Sequence, residues 1–390
     1  MTLQGRILST LEHIAISIVA ILSVALSGCA TSGGSGAIIS SAKAPTAMPI
    51  LVQSDGSYPK TALEKETVVV KVIQHGVQNL QEAQTIEAGL DKNLGRMVEL
   101  SELACSTGMK PDFLLFNEFP LTGYSSGTRE EKLKFTIQIP GPETDALGAI
   151  ARQCDTYIIF GSYANDDDWP GHILSINAVI GRDGKIAEKF WKTRNVKRLG
   201  EGEIPTTTIE NVRDRYRAIY GVEAEFPVLR TEYGNIAVST VQLDPFVYAA
   251  YAMRGVEIMF RTSTLFSKSD VRATAFFNRF YSAMSNITFP EGPYAKYGGQ
   301  SLIVGPDGAV LAEDPSNNES IIQAEIPIAE FRQGRRIPRF PLDIVAPVFD
   351  QYQQEVPLNH LDLDPAQLPK TRAEMKTLLD QKSRWLNPQG

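Results

Sequence analysis

The feature that most constrains this chain is its succession of short apolar runs separated by helix-like segments. Val68–Gln74 reads "VVVKVIQ", a run rich in β-branched residues and too short for a buried helix. An amphipathic stretch near Glu82–Cys105 follows, with apolar residues at helical spacing, and then a second buried strand in "PDFLLFNE". "ETDALGAIARQC" predicts a helix and "YIIFGSY" a third strand. "INAVIGRDGKIAEKFWK" and "SLIVGPDGAVLAE" each place two strands around an Asp-Gly turn, the strongest short-range hairpin signal. "NIAVSTV", "VEIMFR" and "IIQAEI" read as further strands. "YAAYAMRG" reads as a short helix closed by Gly255, and the polar segment from Arg194 to Glu225 as holding one helix. Alternating strands and helices with interleaved hairpins predict mixed sheets covered by helices, an α/β layered fold.

The ends of the chain read differently. Arg6 precedes an apolar run from Ile14 to Leu26, short for a spanning helix and suited to a signal-peptide core. It ends in Leu26-Ser27-Gly28-Cys29, which resembles the bacterial lipobox, with Cys29 as the lipidation site. Residues 1–28 are therefore expected to be a lipoprotein signal peptide. Residues 29–65, rich in Gly, Ser, Ala and Pro, are expected to be a flexible tether. The globular domain is expected over 66–336, and a C-terminal extension over 337–390 that packs on the body or on a second subunit. Lipid on Cys29 implies a cell-envelope protein anchored in a membrane. The residue after Cys29 is not Asp, which favours the periplasmic face of the outer membrane and leaves the inner membrane as the alternative.

In such a compartment Cys105 and Cys154 face oxidising conditions, and a disulfide between them is open on sequence grounds. Four histidines and three cysteines without ligand spacing argue against a metal site. A net charge of -7 argues against a nucleic-acid partner.

Several motifs stand in an order that resembles the nitrilase superfamily of carbon–nitrogen hydrolases. "FNEFPLTGY", containing Glu118, is similar to the family's first catalytic motif, a strand ending in glutamate. "EKFWKT", containing Lys192, is similar to its second, a strand ending in lysine. "IPGPET", "GRDGKIAEKF", "RGVEIMF" and "GGQSLIVGPDGAVLAE" keep the family's order and spacing. The resemblance spans roughly Val68 to Ala329. It implies a four-layer αββα sandwich, homodimers or higher homo-oligomers with crossing C-terminal arms, no cofactor, and small carbon–nitrogen compounds as substrates. It also implies a covalent mechanism in which a cysteine thiolate attacks, the glutamate shuttles protons and the lysine stabilises negative charge.

The third motif departs from the pattern. In "YGNIAVSTVQLDPFVYAAYAMRG" a count forward from Gly234 puts the nucleophile position at Val241, and a count backward from Gly255 puts it at Ser239. The forward count is preferred, because a strand register that slips turns its core face outward. Neither position is a cysteine, so the family's thiol chemistry is expected to be missing. A hydroxyl nucleophile at Ser239 or Thr240, or a water activated by Glu118, would keep a hydrolase active, and an oligomeric envelope scaffold is a third reading. Asn165 and Asp166 stand where the family commonly has a second glutamate, in "NDDD", which reads as a solvated loop. Tyr124, Gln242 and Arg261 are the expected ligand-binding residues around Glu118 and Lys192. Arg261 would either bind an anionic group or face water, and the Glu118–Lys192 pair would either serve a pocket or tie two strand ends together.

Overall fold

Seven residues, Val68–Gln74, form strand β1, with Val68, Val70 and Val72 fully buried. The computed structural model describes residues 53, 55–124, 127–195, 206–289, 291–292, 295–355, 365–374 and 377. Compactness divides the chain into Met1–Ala44 and Pro45–Gly390. The signal segment with Cys29 lies outside the described residues, and all that follows concerns the second unit. Among the described residues no helix is long and apolar enough to cross a membrane.

The first half of the domain follows the predicted alternation. After β1 come α1 (Ile86–Ser106), β2 (Phe113–Leu115), α2 (Arg129–Lys134), β3 (Ile137–Gln138), α3 (Pro142–Cys154), β4 (Tyr157–Asn165), β5 (Leu174–Ile180) and β6 (Ile186–Trp191). The second half holds α4 (Arg213–Tyr220), β7 (Leu229–Thr231), β8 (Gly234–Val238), α5 (Pro245–Met253), β9 (Ile258–Ser263), α6 (Lys268–Asn278), β10 (Tyr281–Asn286), β11 (Leu302–Val304), β12 (Val310–Glu313), β13 (Ser320–Ile326), α7 (Ile328–Gly334) and α8 (Leu342–Glu355).

One sheet runs β13-β1-β2-β4-β5-β6 with β3 beside β4, and the other runs β12-β11-β10-β9-β8-β7. β1, β2 and β4 are parallel neighbours, as are β8, β9 and β10. The last strand closes the first sheet, β13 pairing antiparallel with β1 from Val68↔Ile326 to Gln74↔Ser320. The sheets meet face to face through Val68, Val70, Val72, Phe113 and Leu115 on one side and Ile236, Val238, Ile258 and Phe260 on the other. Helices α1 and α3 cover the first sheet through Met97, Leu100, Leu147 and Ala151, and α5 and α6 cover the second. The layering is helix, sheet, sheet, helix, the four-layer α/β sandwich of the nitrilase type.

Helix positions have local causes. Thr85 caps α1, its hydroxyl accepting from Ala88 N at 3.1 Å. Lys71, buried within β1, donates from Nζ to Ala104 O at 2.7 Å and to Thr107 O, carbonyls at the C-terminal end of α1. Burial holds this ammonium below the usual lysine range. Pro142 opens α3, where a missing N–H costs nothing, and Asp155 closes it in the left-handed conformation at φ 51°. A disulfide, Cys105–Cys154, joins the ends of α1 and α3 across 49 residues of chain.

The tether boundary needs correction. It was expected to run to residue 65, but the chain is already packed at Tyr58. The Tyr58 ring is buried and its hydroxyl donates to Glu257 Oε1 at 2.7 Å. Asn235 donates to Pro59 O at 2.8 Å, and Arg332 to Thr61 O at 2.6 Å. Gly255, at φ +88°, makes this possible, since a Cβ there would come within 2.7 Å of the Tyr58 ring. Among the described residues, the polar segment after Arg194 contains α4 and two single turns of 3-10 helix. The C-terminal extension packs on the body: Lys370 O accepts from Arg129 N at 3.1 Å, and Phe349 of α8 meets Phe246 at 5.0 Å between ring centroids.

The disulfide spans enough chain for its loss to be costly. Replacing both Cys105 and Cys154 by alanine is expected to lower unfolding free energy by about 2–4 kcal/mol. Urea denaturation of the variant and the parent checks this; equal midpoints would show that the cross-link constrains nothing.

Candidate active site

β2 delivers Glu118. After Leu115 the chain stays within the sheet, Phe116 N donating to Ile159 O at 2.8 Å and Gly161 N to Asn117 O at 3.1 Å. Gly161 is required by this approach, because a Cβ on it would stand 2.4 Å from Glu118 O. Asn117 is fully buried and orients the turn, its Oδ1 accepting from Phe119 N at 3.1 Å. Its amide Nδ2 lies 3.3 Å from Nδ1 of the buried His75.

β6 delivers Lys192, whose backbone is held on both sides: its N–H donates to Ser175 O at 3.0 Å and its carbonyl accepts from Ile209 N at 3.1 Å. Lys192 Nζ stands 3.2 Å from Glu118 Oε1. The glutamate side chain is 6% exposed and the lysine 17%, so the ion pair opens toward solvent on the ammonium side.

β8 delivers Val241. The strand ends at Val238, and Ser239 N continues the ladder to Phe260 O at 3.0 Å. Val241 is fully buried, and its carbonyl accepts from the Tyr248 hydroxyl and from Arg261 at 3.0 Å. Arg194, two residues past Lys192, pairs with Asp244, three residues past Val241, and also reaches Leu243 O at 3.5 Å. The segments leaving β6 and β8 therefore lie against each other. Neither hydroxyl near Val241 resembles an activated nucleophile. Ser239 Oγ accepts from Val241 N at 3.2 Å and lies 3.4 Å from the Tyr248 hydroxyl, both contacts belonging to the turn. Thr240 Oγ1 is buried with no hydrogen-bond partner among the described residues.

The expected ligand residues separate. Tyr124 is half-buried and tilts against Phe119 at 6.2 Å, beside Glu118. Gln242 is 7% exposed, directly after Val241. Arg261 neither faces water nor stands ready for an anion. It is fully buried, 2.5 Å from Asp270 Oδ2 and 3.1 Å from Thr274 Oγ1, with its guanidinium 3.9 Å from the Tyr248 ring centroid. A buried guanidinium needs a carboxylate, and Asp270 of α6 supplies it. The "NDDD" loop is less solvated than expected, since Asp166 pairs with Lys189 at 3.0 Å and Asn165 donates to Thr136 Oγ1 at 3.0 Å.

Sequence reasoning passed over three contributors. His75 supports Asn117, Arg194 joins the two segments, and buried Lys132 lies 4.6 Å over the Tyr163 ring, which stacks on Phe119 at 4.1 Å. A lysine in the short helix "REEKLK" gives no sign that it turns inward. Among the described residues no group of three or more His, Cys, Asp or Glu side chains can hold a metal ion.

Burial pushes the His75 imidazole down to about 4, with the Arg96 charge acting in the same sense. Its folded pKa is depressed below the ordinary value of about 6.5. The unfolded chain thus takes up a proton first as pH falls, and stability is lost between those values. Denaturation at pH 7 and pH 4.5 is expected to show an acid loss about 2 kcal/mol smaller in His75→Gln than in the parent. Equal losses would mean that His75 does not drive it.

Comparisons with known proteins bear on the family and the fold. The carbon–nitrogen hydrolase family profile matches residues 77–336. Omega-amidase NIT2 of Xenopus tropicalis is 27% identical over 212 residues, 51% of this chain and 73% of that protein. Human omega-amidase NIT2 is 26% identical over 219 residues, 53% of this chain and 75% of that protein. Among solved structures, a variant amidase from Nesterenkonia sp. AN1 in complex with acrylamide superposes with TM-score 0.52 at 16% identity, over 75% of this chain and 99% of its own. The Caenorhabditis elegans NitFhit protein gives TM-score 0.54 at 18% identity, over 76% of this chain and 66% of its own.

Proposed function

The chain belongs to the carbon–nitrogen hydrolase family, and from that premise we propose that it is a lipid-anchored envelope member that binds a carbon–nitrogen compound without thiol chemistry. The reading rests on Val241, aliphatic and fully buried just past β8. Valine has no lone pair with which to attack a carbonyl or nitrile carbon. The Glu118–Lys192 pair supports retention of a polar pocket, because a carboxylate accepts from an amide N–H while an ammonium donates to a carbonyl oxygen. The amidases among the relatives make carboxamides the first compound class to try. Active hydrolysis through a hydroxyl gains no support from Ser239, which is occupied in its own turn.

The expected result is carboxamide binding with no hydrolysis above background. Binding, read as a thermal shift across an amide and nitrile panel, is expected to be lost in Glu118→Ala and in Lys192→Ala. Ammonia release that depends on Glu118 would sink the proposal and favour an activated water.

Anchoring is proposed through Cys29 in Leu26-Ser27-Gly28-Cys29. The Cys105–Cys154 disulfide supports an exported location, since such bonds persist where conditions are oxidising. A homo-oligomer is proposed on the face where Phe246 and Phe277 of α5 and α6 and Ile344 and Val348 of α8 are each more than half exposed. These residues surround or adjoin an apolar groove of about 500 Å³, a face that a second copy would cover. Cys29→Ser is expected to move the protein from the membrane to the soluble fraction. Light scattering on that soluble form is expected to give at least a dimer. Retention in the membrane overturns the anchor, and a monomer at micromolar concentration overturns the oligomer.

A further inference from the structure

A cleft of about 340 Å³ lies at the edge of the sandwich, and its lining includes neither Glu118 nor Lys192. β6 supplies Glu188, Lys189 and Trp191, α4 supplies Tyr216 and Tyr220, and Glu223, Arg230 of β7 and Arg254 after α5 add charge to the lining. The aromatic wall is continuous: Trp191 meets Tyr216 at 5.1 Å, and Tyr216 meets Tyr220 at 4.9 Å.

The charges in the cleft are unevenly matched. Lys189 is taken by Asp166 at 3.0 Å, and Arg254 lies 3.9 Å from Glu223. Glu188 has no ion-pair partner among the described residues; its Oε1 accepts from Lys189 N at 2.9 Å. Arg230 likewise has no carboxylate partner among the described residues, and its guanidinium makes two 3.4 Å contacts with the carbonyls of Pro59 and Val228. Burial holds the Glu188 carboxyl above the usual range, and the backbone N–H and charge of Lys189 offset it only in part. One carboxylate and one guanidinium thus share a wall of aromatic faces, which themselves attract cations. A ligand with separated positive and negative ends would satisfy both. The volume lies toward the small end of the usual range of about 300–1,000 Å³ for ligand sites.

We propose that this cleft is a second ligand site that takes a free amino acid as its zwitterion, with the ammonium toward Glu188 and the aromatic rings and the carboxylate toward Arg230. Trp191 directly precedes Lys192, so the cleft and the candidate active site share strand β6.

The test is calorimetry on the detergent-solubilised full chain. The probes are glycine, leucine, phenylalanine and glutamine, with phenethylamine and 3-phenylpropionate as singly charged controls. At least one amino acid is expected to bind with Kd below about 1 mM, and the singly charged controls about tenfold more weakly. Glu188→Gln and Arg230→Gln are each expected to weaken binding about tenfold. Glu118→Ala is expected to leave it unchanged, which separates this cleft from the carboxamide site. Tyr220→Ala removes an aromatic wall that is 37% exposed, and it weakens binding even where a charge variant fails to fold. No binding by any amino acid, equal binding of a singly charged control, affinity that survives the substitutions, or loss in Glu118→Ala each overturns the proposal.

Discussion

The face-to-face burial of the two sheets is the constraint on which the rest of the structure depends. Val68, Val70, Val72, Phe113 and Leu115 are withdrawn from water together with Ile236, Val238, Ile258 and Phe260. Each such side chain contributes about 1.5–3 kcal/mol when fully buried. A one-residue slip in any of these strands would turn apolar groups outward and polar ones in. Two buried hydrogen bonds reinforce the match, Thr262 Oγ1 to Asn177 Oδ1 and Ser285 Oγ to Ile73 O, each at 2.6 Å. With registers fixed in this way, the residues that follow β2, β6 and β8 have little freedom in where they emerge.

Several charges inside the fold are each met by an opposite one. Glu257 is fully buried and receives both Nε and Nη2 of Arg332, the Tyr58 hydroxyl and the Asn235 backbone N–H. It ties the start of the domain, β8 and α7 to one carboxylate. Glu225 is clasped by Arg213 and Arg217, whose hydrogen bonds outweigh desolvation and hold it below the usual range. Arg261 and Asp270 follow the same logic, which is why an arginine at a strand end near Val241 serves packing. The Glu118–Lys192 pair is the partly open member of this set, while buried Lys71 is met by helix carbonyls instead of a carboxylate.

Much of the architecture was legible as pattern. β1, both Asp-Gly hairpins and helix α3 stand where periodicity and turn chemistry put them. β10, "YSAMSN", was not legible, because four of its six residues are small or polar and its burial comes from neighbours on both sides. The packed stretch from Tyr58 to Lys65 was missed for a related reason. Its Pro, Lys and Thr content reads as linker, while its ordering comes from Glu257, Asn235 and Arg332 far along the chain. At the site, Glu118 and Lys192 were visible because each stands at a strand end in a motif that resembles the family's. Arg194, Asp244 and Lys132 were not, since their partners are distant in sequence or their helix reads as solvent-facing.

The sequence by itself determined the layered α/β class, the strand ends that carry the carboxylate and the ammonium, and the absence of cysteine from the segment after β8. The class follows from hydrophobic periodicity, and the strand ends and the missing cysteine from motifs that resemble the family's; both are local properties. Tertiary structure decided that Cys105 meets Cys154, that Arg261 turns inward to Asp270, and that Glu118 lies within 3.2 Å of Lys192. Each of those depends on distances between remote segments, and such distances exist only once the sheets have packed.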